Sequence, residues 1–289
     1  MYNFRTDLAL ERRDIYQKVN NLKQIDGIKS TEEEINEKLK VTRVEILNKN
    51  GEKAIGKPVG NYVTIDVKKL KLAEDEDIQK ASEVVTKELK KIINIHTDKQ
   101  GDILVVGLGN IYVTPDALGP KTAKMINATK HLNKKSKKNV AVIYPNVMSK
   151  TGMETSDIVK AIVDKEQIDL VIAIDSLATR KIDRLNKVIQ ITDTGISPGA
   201  GIGNYRKRMV QEYLKVPVIA IGVATVVDSY SLLYEYFDKT NLSKIEKKKI
   251  SKEIKSLEVP NLYLTPKEID LELNELSKVI SKILNKILN

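Results

Sequence analysis

Ile103-Leu104-Val105-Val106-Gly107-Leu108-Gly109-Asn110-Ile111-Tyr112-Val113-Thr114-Pro115-Asp116-Ala117-Leu118-Gly119-Pro120 decides the fold. The apolar run Ile103 to Val106 fits a strand buried on both faces, and Gly107 and Gly109 let the backbone turn sharply after it. Thr114, Pro115 and Asp116 then predict a helix start, with Ala117, Ala123 and Ile126 as its apolar stripe. Asp116 is thereby expected beyond the carboxyl end of a parallel strand, the rim where open α/β sheets bind ligands. Serving only as a helix cap is the competing role for this side chain. A dinucleotide site fails on spacing, because the third glycine of Gly-x-Gly-x-x-Gly would fall at Tyr112.

Outward from that stretch the chain has 289 residues, 41% hydrophobic and 30% charged, enough for a sizeable core and ordinary for a globular protein. It has no cysteine, which excludes disulfides, thiolate metal sites and a Cys nucleophile. No apolar run approaches the roughly 18 residues of a membrane helix and no leader is visible, so no membrane association and an intracellular location are expected. The net charge of +10, with lysine clusters at 134–138 and 247–249, raises nucleic-acid or nucleotide binding as a non-catalytic alternative. Aromatic residues are only 4%, however, and the lysines alternate with Glu and Asp, which points to solvated helix faces and against direct nucleic-acid binding.

Strand and helix signals alternate from 103 to about 237, predicting an α/β fold with a doubly wound, mostly parallel sheet flanked by helices. Its further strands are expected at 139–144, 170–174, 188–192 and 216–223. Thr31 with Glu34 and Thr151 with Glu154 read as capping boxes, predicting helices to about Lys40 and Asp164. A small antiparallel unit is expected at about 41–67, turned at Asn50-Gly51, followed by a helix from about Glu74 to Ile93. Residues 238–257 suggest an exposed helix or a loosely held insertion. Thr265-Pro266-Lys267-Glu268 predicts the start of a C-terminal helix over about 266–288.

A second acidic residue, Asp175, follows the apolar run Leu170 to Ile174. If the two strands are neighbours, Asp116 and Asp175 meet at one rim, where a water held between them could be activated for amide hydrolysis. Asp193-Thr194-Gly195 looks like the triplet of pepsin-like proteases, but it follows a strand of an α/β series; Asp193 is retained as a third acidic residue for the same rim. The glycine-rich segment from Gly195 to Asn204 must be a loop. His96 and His131 are the only histidines, so no His-x-x-x-His zinc site exists and a Ser-His-Asp triad is not expected.

Arg5-Thr6-Asp7-Leu8-Ala9, Val106 to Asn110 with Thr114 to Pro120, Thr151 to Asp157, Ala173 to Ala178, Asp193 to Ile196, Gly201 to Asn204, Thr225 to Asp228 and Thr265 to Glu268 stand in this order along the chain. Together these stretches resemble the germination proteases of endospore-forming bacteria, endopeptidases that degrade small acid-soluble spore proteins. The resemblance implies a fold like the hydrogenase maturation endopeptidases, a homotetramer, a cytoplasmic location in the spore core, and Asp116 and Asp175 as catalytic residues. Gly107, Gly109, Asn110, Asp193 and Gly195 become candidates for the substrate-site loops. No cofactor is implied, although a metal held by Asp116 and Asp175 is a variant of the mechanism. It also implies a zymogen cut after an acidic residue that precedes an apolar residue and Ala; here that places the cut between Asp7 and Leu8, with 1–7 a propeptide and 8–289 one peptidase domain. An ordinary frayed terminus is the competing reading of that segment. The stretch between Asp228 and Thr265 is shorter than usual for such proteins.

Overall fold

Runs rich in Val and Ile form most of the strands, and all nine strands among the described residues lie in one sheet. The computed structural model describes residues 5–67, 75–96, 101–132, 138–199, 206–256 and 262–288. The strands are β1 (Ile28–Asn36), β2 (Leu39–Ile46), β3 (Gly60–Val67), β4 (Asp102–Gly107), β5 (Asn139–Ile143), β6 (Leu170–Thr179), β7 (Val188–Thr192), β8 (Val218–Asp228) and β9 (Tyr263–Leu264). They form one nine-stranded sheet in the order β1-β2-β3-β7-β8-β6-β4-β5, with β9 added to β8. The α/β class therefore holds, but the sheet is mixed. Strands β5, β4, β6 and β8 are parallel, whereas β7 runs antiparallel to β8 and the β1-β2-β3 meander continues antiparallel from it. Only residues 180–187 link β6 to β7, too few for the crossover that a parallel return requires.

Neighbouring residues of the central strands face opposite layers, so both faces of the sheet are covered. Val105, Ile172, Ile174, Ile219 and Ile221 pack under α3 (Asp75–His96) and α10 (Ile269–Leu288) through Leu89, Ile92, Leu273 and Ile280. Leu104, Val106, Val171 and Ala173 pack on the other face against Val159 and Val163 of α6 (Thr155–Glu166). Each fully buried aliphatic side chain contributes about 1.5–3 kcal/mol. A third cluster joins Ala9 of α1 (Ala9–Asn20) and Ile55 of α2 (Lys49–Ile55) to Val44, Ile46 and Tyr62.

The local capping signals mislead. Residues 31–36 belong to strand β1 instead of a helix, because Glu32 and Glu33 are used by Lys40, Arg13 and Arg43 and the ladder to β2 satisfies the backbone. This edge strand is mostly exposed, so it lacks the apolar alternation that would reveal it. Asn50-Gly51 sits inside α2, whose N-terminus is capped by the Asn48 side chain. Thr151 belongs to a separate turn, α5 (Met148–Thr151), and its hydroxyl accepts from Met153 N–H, while α6 begins after Glu154. Thr265 donates to the Thr225 carbonyl at 2.9 Å, so α10 starts only at Ile269. Residues 244–256 form a helix, α9. Of the lysine cluster 134–138 and the motif 201–204, all but Lys138 lie outside the described residues.

Candidate active site

β4 ends at Gly107, paired with Ile174, and Leu108 N–H still bonds the Ile174 carbonyl at 2.8 Å. β6 runs on to Thr179, so Asp175 is the first β6 residue past the end of β4. It is thus inside a strand, where the sequence had suggested a strand end. Alternation puts its side chain on the face of Val171 and Ala173, at the edge of the notch that β4 leaves.

The chain leaving β4 folds back into that notch. Gly109 adopts φ +109°, and a Cβ there would lie 2.0 Å from the Asp116 carbonyl oxygen, so the close return requires glycine. Asn110 N–H donates to Asp116 Oδ2 at 2.7 Å, and Thr225 Oγ1 of β8 donates to the Pro115 carbonyl at 2.7 Å. The expected helix is instead a 3-10 turn, Thr114–Asp116, followed by the short α4 (Leu118–Ala123). Asp116 does not cap it; its carboxylate closes the loop. Gly107 lies against α4, where a Cβ would meet the Gly119 carbonyl at 2.4 Å.

Asp116 and Asp175 line one cleft of about 970 Å³. Burial pushes the Asp116 carboxyl up to about 6, against the pull of the Asn110 N–H. Asp175 is pushed well above the usual carboxylate range by burial first and by the Asp116 charge second; the Ser176 N–H opposes this, and Asp7 adds to it. Neither aspartate has a Lys, Arg or His partner among the described residues.

From Arg5 onward the N-terminal segment is packed against the body of the protein. Asp7 N–H donates to the Ala178 carbonyl and Ala178 N–H donates to Asp7 Oδ2, both at 2.9 Å, which lays the segment along the end of β6. Leu8 is fully buried against Leu177, Val188 and Ala224. Gln190 accepts from Ala9 N–H at 2.8 Å and donates to the Asp7 carbonyl at 3.3 Å. Glu11, 2% exposed, is held by Thr6, Thr179, Arg180 N–H and Arg184. Asp7 itself lines the aspartate cleft.

The other candidates divide. Asn110 and Gly195 line the cleft. Asp193 does not join the pair: it accepts from Asn61 N–H and Nδ2 at 2.8 and 2.6 Å and faces His96 Nε2 at 3.2 Å. It fastens β3 to the end of β7. Sequence reading missed Gln190 and Lys57, which also line the cleft. A glutamine in Val188-Ile189-Gln190-Ile191 was the available signal, since a polar residue in a buried strand needs a reason. Lys57 carries no such mark. It is half-buried, and burial lowers its ammonium to about 8 while Asp7 partly restores it. As a metal centre the donors fit poorly, because no group of three His, Cys, Asp or Glu side chains assembles among the described residues. No helix among the described residues is long and apolar enough to cross a membrane.

A mixed α/β sheet whose rim opens into a cleft holding two raised carboxyls, with Asp7 of the chain's own N-terminal segment in its lining, defines an α/β protein with a candidate hydrolytic site. The chain belongs to the germination protease family, whose model matches residues 6–239. A germination protease of Clostridium perfringens is 42% identical over 99% of this chain and 95% of its own length. One from Caldanaerobacter subterraneus is 44% identical over 97% and 93%, and one from Clostridium tetani 38% over 97% and 94%. Among solved structures, the [NiFe] hydrogenase maturation protease HycI from Thermococcus kodakarensis is similar at 16% identity and a TM-score of 0.36, covering 67% of this chain and 98% of that one. A likeness that low says nothing about chemistry.

Proposed function

We propose that this protease hydrolyses small acid-soluble spore proteins with Asp116 and Asp175 as an acid–base pair, cutting after an acidic residue, and that it is made as a zymogen processed between Asp7 and Leu8. The observation that carries the reading is the shared cleft, lined by two raised carboxyls and by Asp7, with Leu8 and Ala9 buried beyond it. Two such groups cannot both ionise cheaply, so they share a proton. Asp175, the more deeply buried, holds it longer. Asp116 as carboxylate takes a proton from water; the water oxygen attacks the peptide carbonyl carbon; Asp175 protonates the departing nitrogen as the C–N bond breaks.

Acid preference has support in the surroundings of Asp7. Its carboxylate rests on Ala178 N–H and lies within electrostatic reach of Lys57, in a cleft that also contains Arg208. The homotetramer and the spore-core location belong to the proposal through family membership alone.

The test uses the purified chain with Asp116→Asn and Asp175→Asn variants and a peptide containing Asp-Leu-Ala. Each variant is expected to lose at least about 10²-fold in cleavage rate with an unchanged circular dichroism spectrum. Near wild-type cleavage by both ends the mechanism. Mass spectrometry of processed protein should find Leu8 at the new N-terminus, and any other terminus refutes the site.

A further inference from the structure

The sheet register puts four residues in one row across the strands: Asp175 of β6, Gly222 of β8, Gln190 of β7 and Thr64 of β3. Residues level with each other in a sheet face the same side. Asp175 and Gln190 therefore stand on either side of Gly222, with backbones two strand spacings, about 10 Å, apart. Gly222 contributes no side chain, and the buried Leu177 side chain packs over it, 2.5 Å from where a Cβ on residue 222 would stand.

Backbone atoms of the N-terminal segment meet the carboxamide end of that row. Ala9 N–H needs an acceptor, which fixes Gln190 Oε1 on its side at 2.8 Å and leaves Nε2 to donate to the Asp7 carbonyl at 3.3 Å. One side chain thus holds the carbonyl before, and the N–H after, Leu8. Gln190 is 5% exposed, and the ladders to β3 and β8 fix its backbone. Holding a terminus in place does not require a donor on that carbonyl in a cleft shared with two raised carboxyls.

We propose that Gln190 is a catalytic residue of the hydrolysis: its Nε2 donates to the oxygen of the scissile carbonyl while its Oε1 holds the N–H two residues onward. This rests on the aspartate reading of the cleft. When the water oxygen bonds to the carbonyl carbon, the carbonyl π pair moves onto oxygen, and the Nε2–H bond meets the charge that develops there. Gln190 neither gains nor loses a proton; the C–N bond then breaks and the pair returns to the carbonyl. The Asp7 carbonyl shows the ground-state form of this contact, which shortens as charge builds.

The experiment follows release of residues 1–7 from the full chain, and then cleavage of an Asp-Leu-Ala peptide by the processed product, in wild type, Gln190→Met, Gln190→Glu and Asp116→Asn. Met keeps the length and fills the row; Glu keeps the acceptor for the downstream N–H and loses the donor. Both Gln190 variants should process slowly and lose about 10²-fold in kcat on the peptide. Glu should keep KM within a few-fold, a split that a structural role would not produce. Thermal melting separates misfolding from loss of chemistry, and rates are taken per folded molecule. If either folded Gln190 variant keeps wild-type kcat while Asp116→Asn is inactive, the proposal falls and the aspartate reading stands. If Asp116→Asn cleaves as well as wild type, the aspartate reading falls first and takes this one with it.

Discussion

Replacing Asp116 with Asn should remove activity and add stability, and the gain should depend on pH in a defined direction. The carboxyl moves from an ordinary 3.8 to about 6 in the folded protein, because burial strips water from it faster than the Asn110 N–H can compensate. A carboxyl with a raised folded pKa binds its proton more tightly folded than unfolded. Stability is thus highest near or below pH 4, declines as pH rises through about 6, and is level above that. At pH 8 the whole cost is present: about two pH units, or about 3 kcal/mol, reduced by the partial exposure of the side chain to about 1–3 kcal/mol. Asparagine keeps an oxygen for Asn110 N–H and has no charge to desolvate. Urea unfolding followed by circular dichroism should place Asp116→Asn above wild type by that amount at pH 8 and level with it near pH 4. Asp175 works in the same direction, so part of the wild-type slope should survive in the single variant. Equal destabilisation at both pH values would mean that the carboxylate is paired in the folded protein, and the acid–base argument would lose its basis.

The remaining expectations use other parts of the cleft. Gly222→Ala places a Cβ 2.5 Å from Leu177 Cδ1 and Cγ, so Leu177, which packs with Leu8, must shift, and peptide cleavage should slow while the ladder to β7 persists; a full-rate variant would show that the seat of the residue after the cut does not depend on Leu177. Lys57→Met should reduce the preference for Asp over Asn before the cut by about 10-fold or more, read from kcat/KM on paired peptides, since it removes a partly desolvated cation within electrostatic reach of Asp7. An unchanged ratio assigns the preference elsewhere. Dialysis against a chelator should leave the peptide rate unaltered, because the pair lacks a third metal-ligating side chain among the described residues; loss restored by one added metal would establish the metal-dependent variant.

Much of this molecule was legible before any coordinates. The apolar runs of β4, β6 and β8 have no polar interruption long enough to be anything but buried strands, and Gly109 followed by Asp116 marks a tight loop at their carboxyl end. Those signals are local, since burial on both faces and a positive φ each impose their demand on the residue that bears them. They gave the α/β class and singled out Asp116 and Asp175 as candidates. The same locality misread Thr31 to Asn36, where side-chain spacing imitates a capping box but pairing with β2 decides, and Asp193, whose partners Asn61 and His96 lie 132 and 97 residues away.

What only the tertiary structure decided is how elements distant in the chain are set level with one another. Asp175, Gly222 and Gln190 share a row because β8 lies between β6 and β7, an order that no residue encodes locally. The seating of Asp7 at that cleft, with Leu8 and Ala9 buried after it, depends on Ala178 and Gln190, more than 170 residues onward. Composition and spacing act within a turn or a strand; register and burial are properties of the whole folded chain, and they determine which carboxyl loses its water and which amide meets the carbonyl.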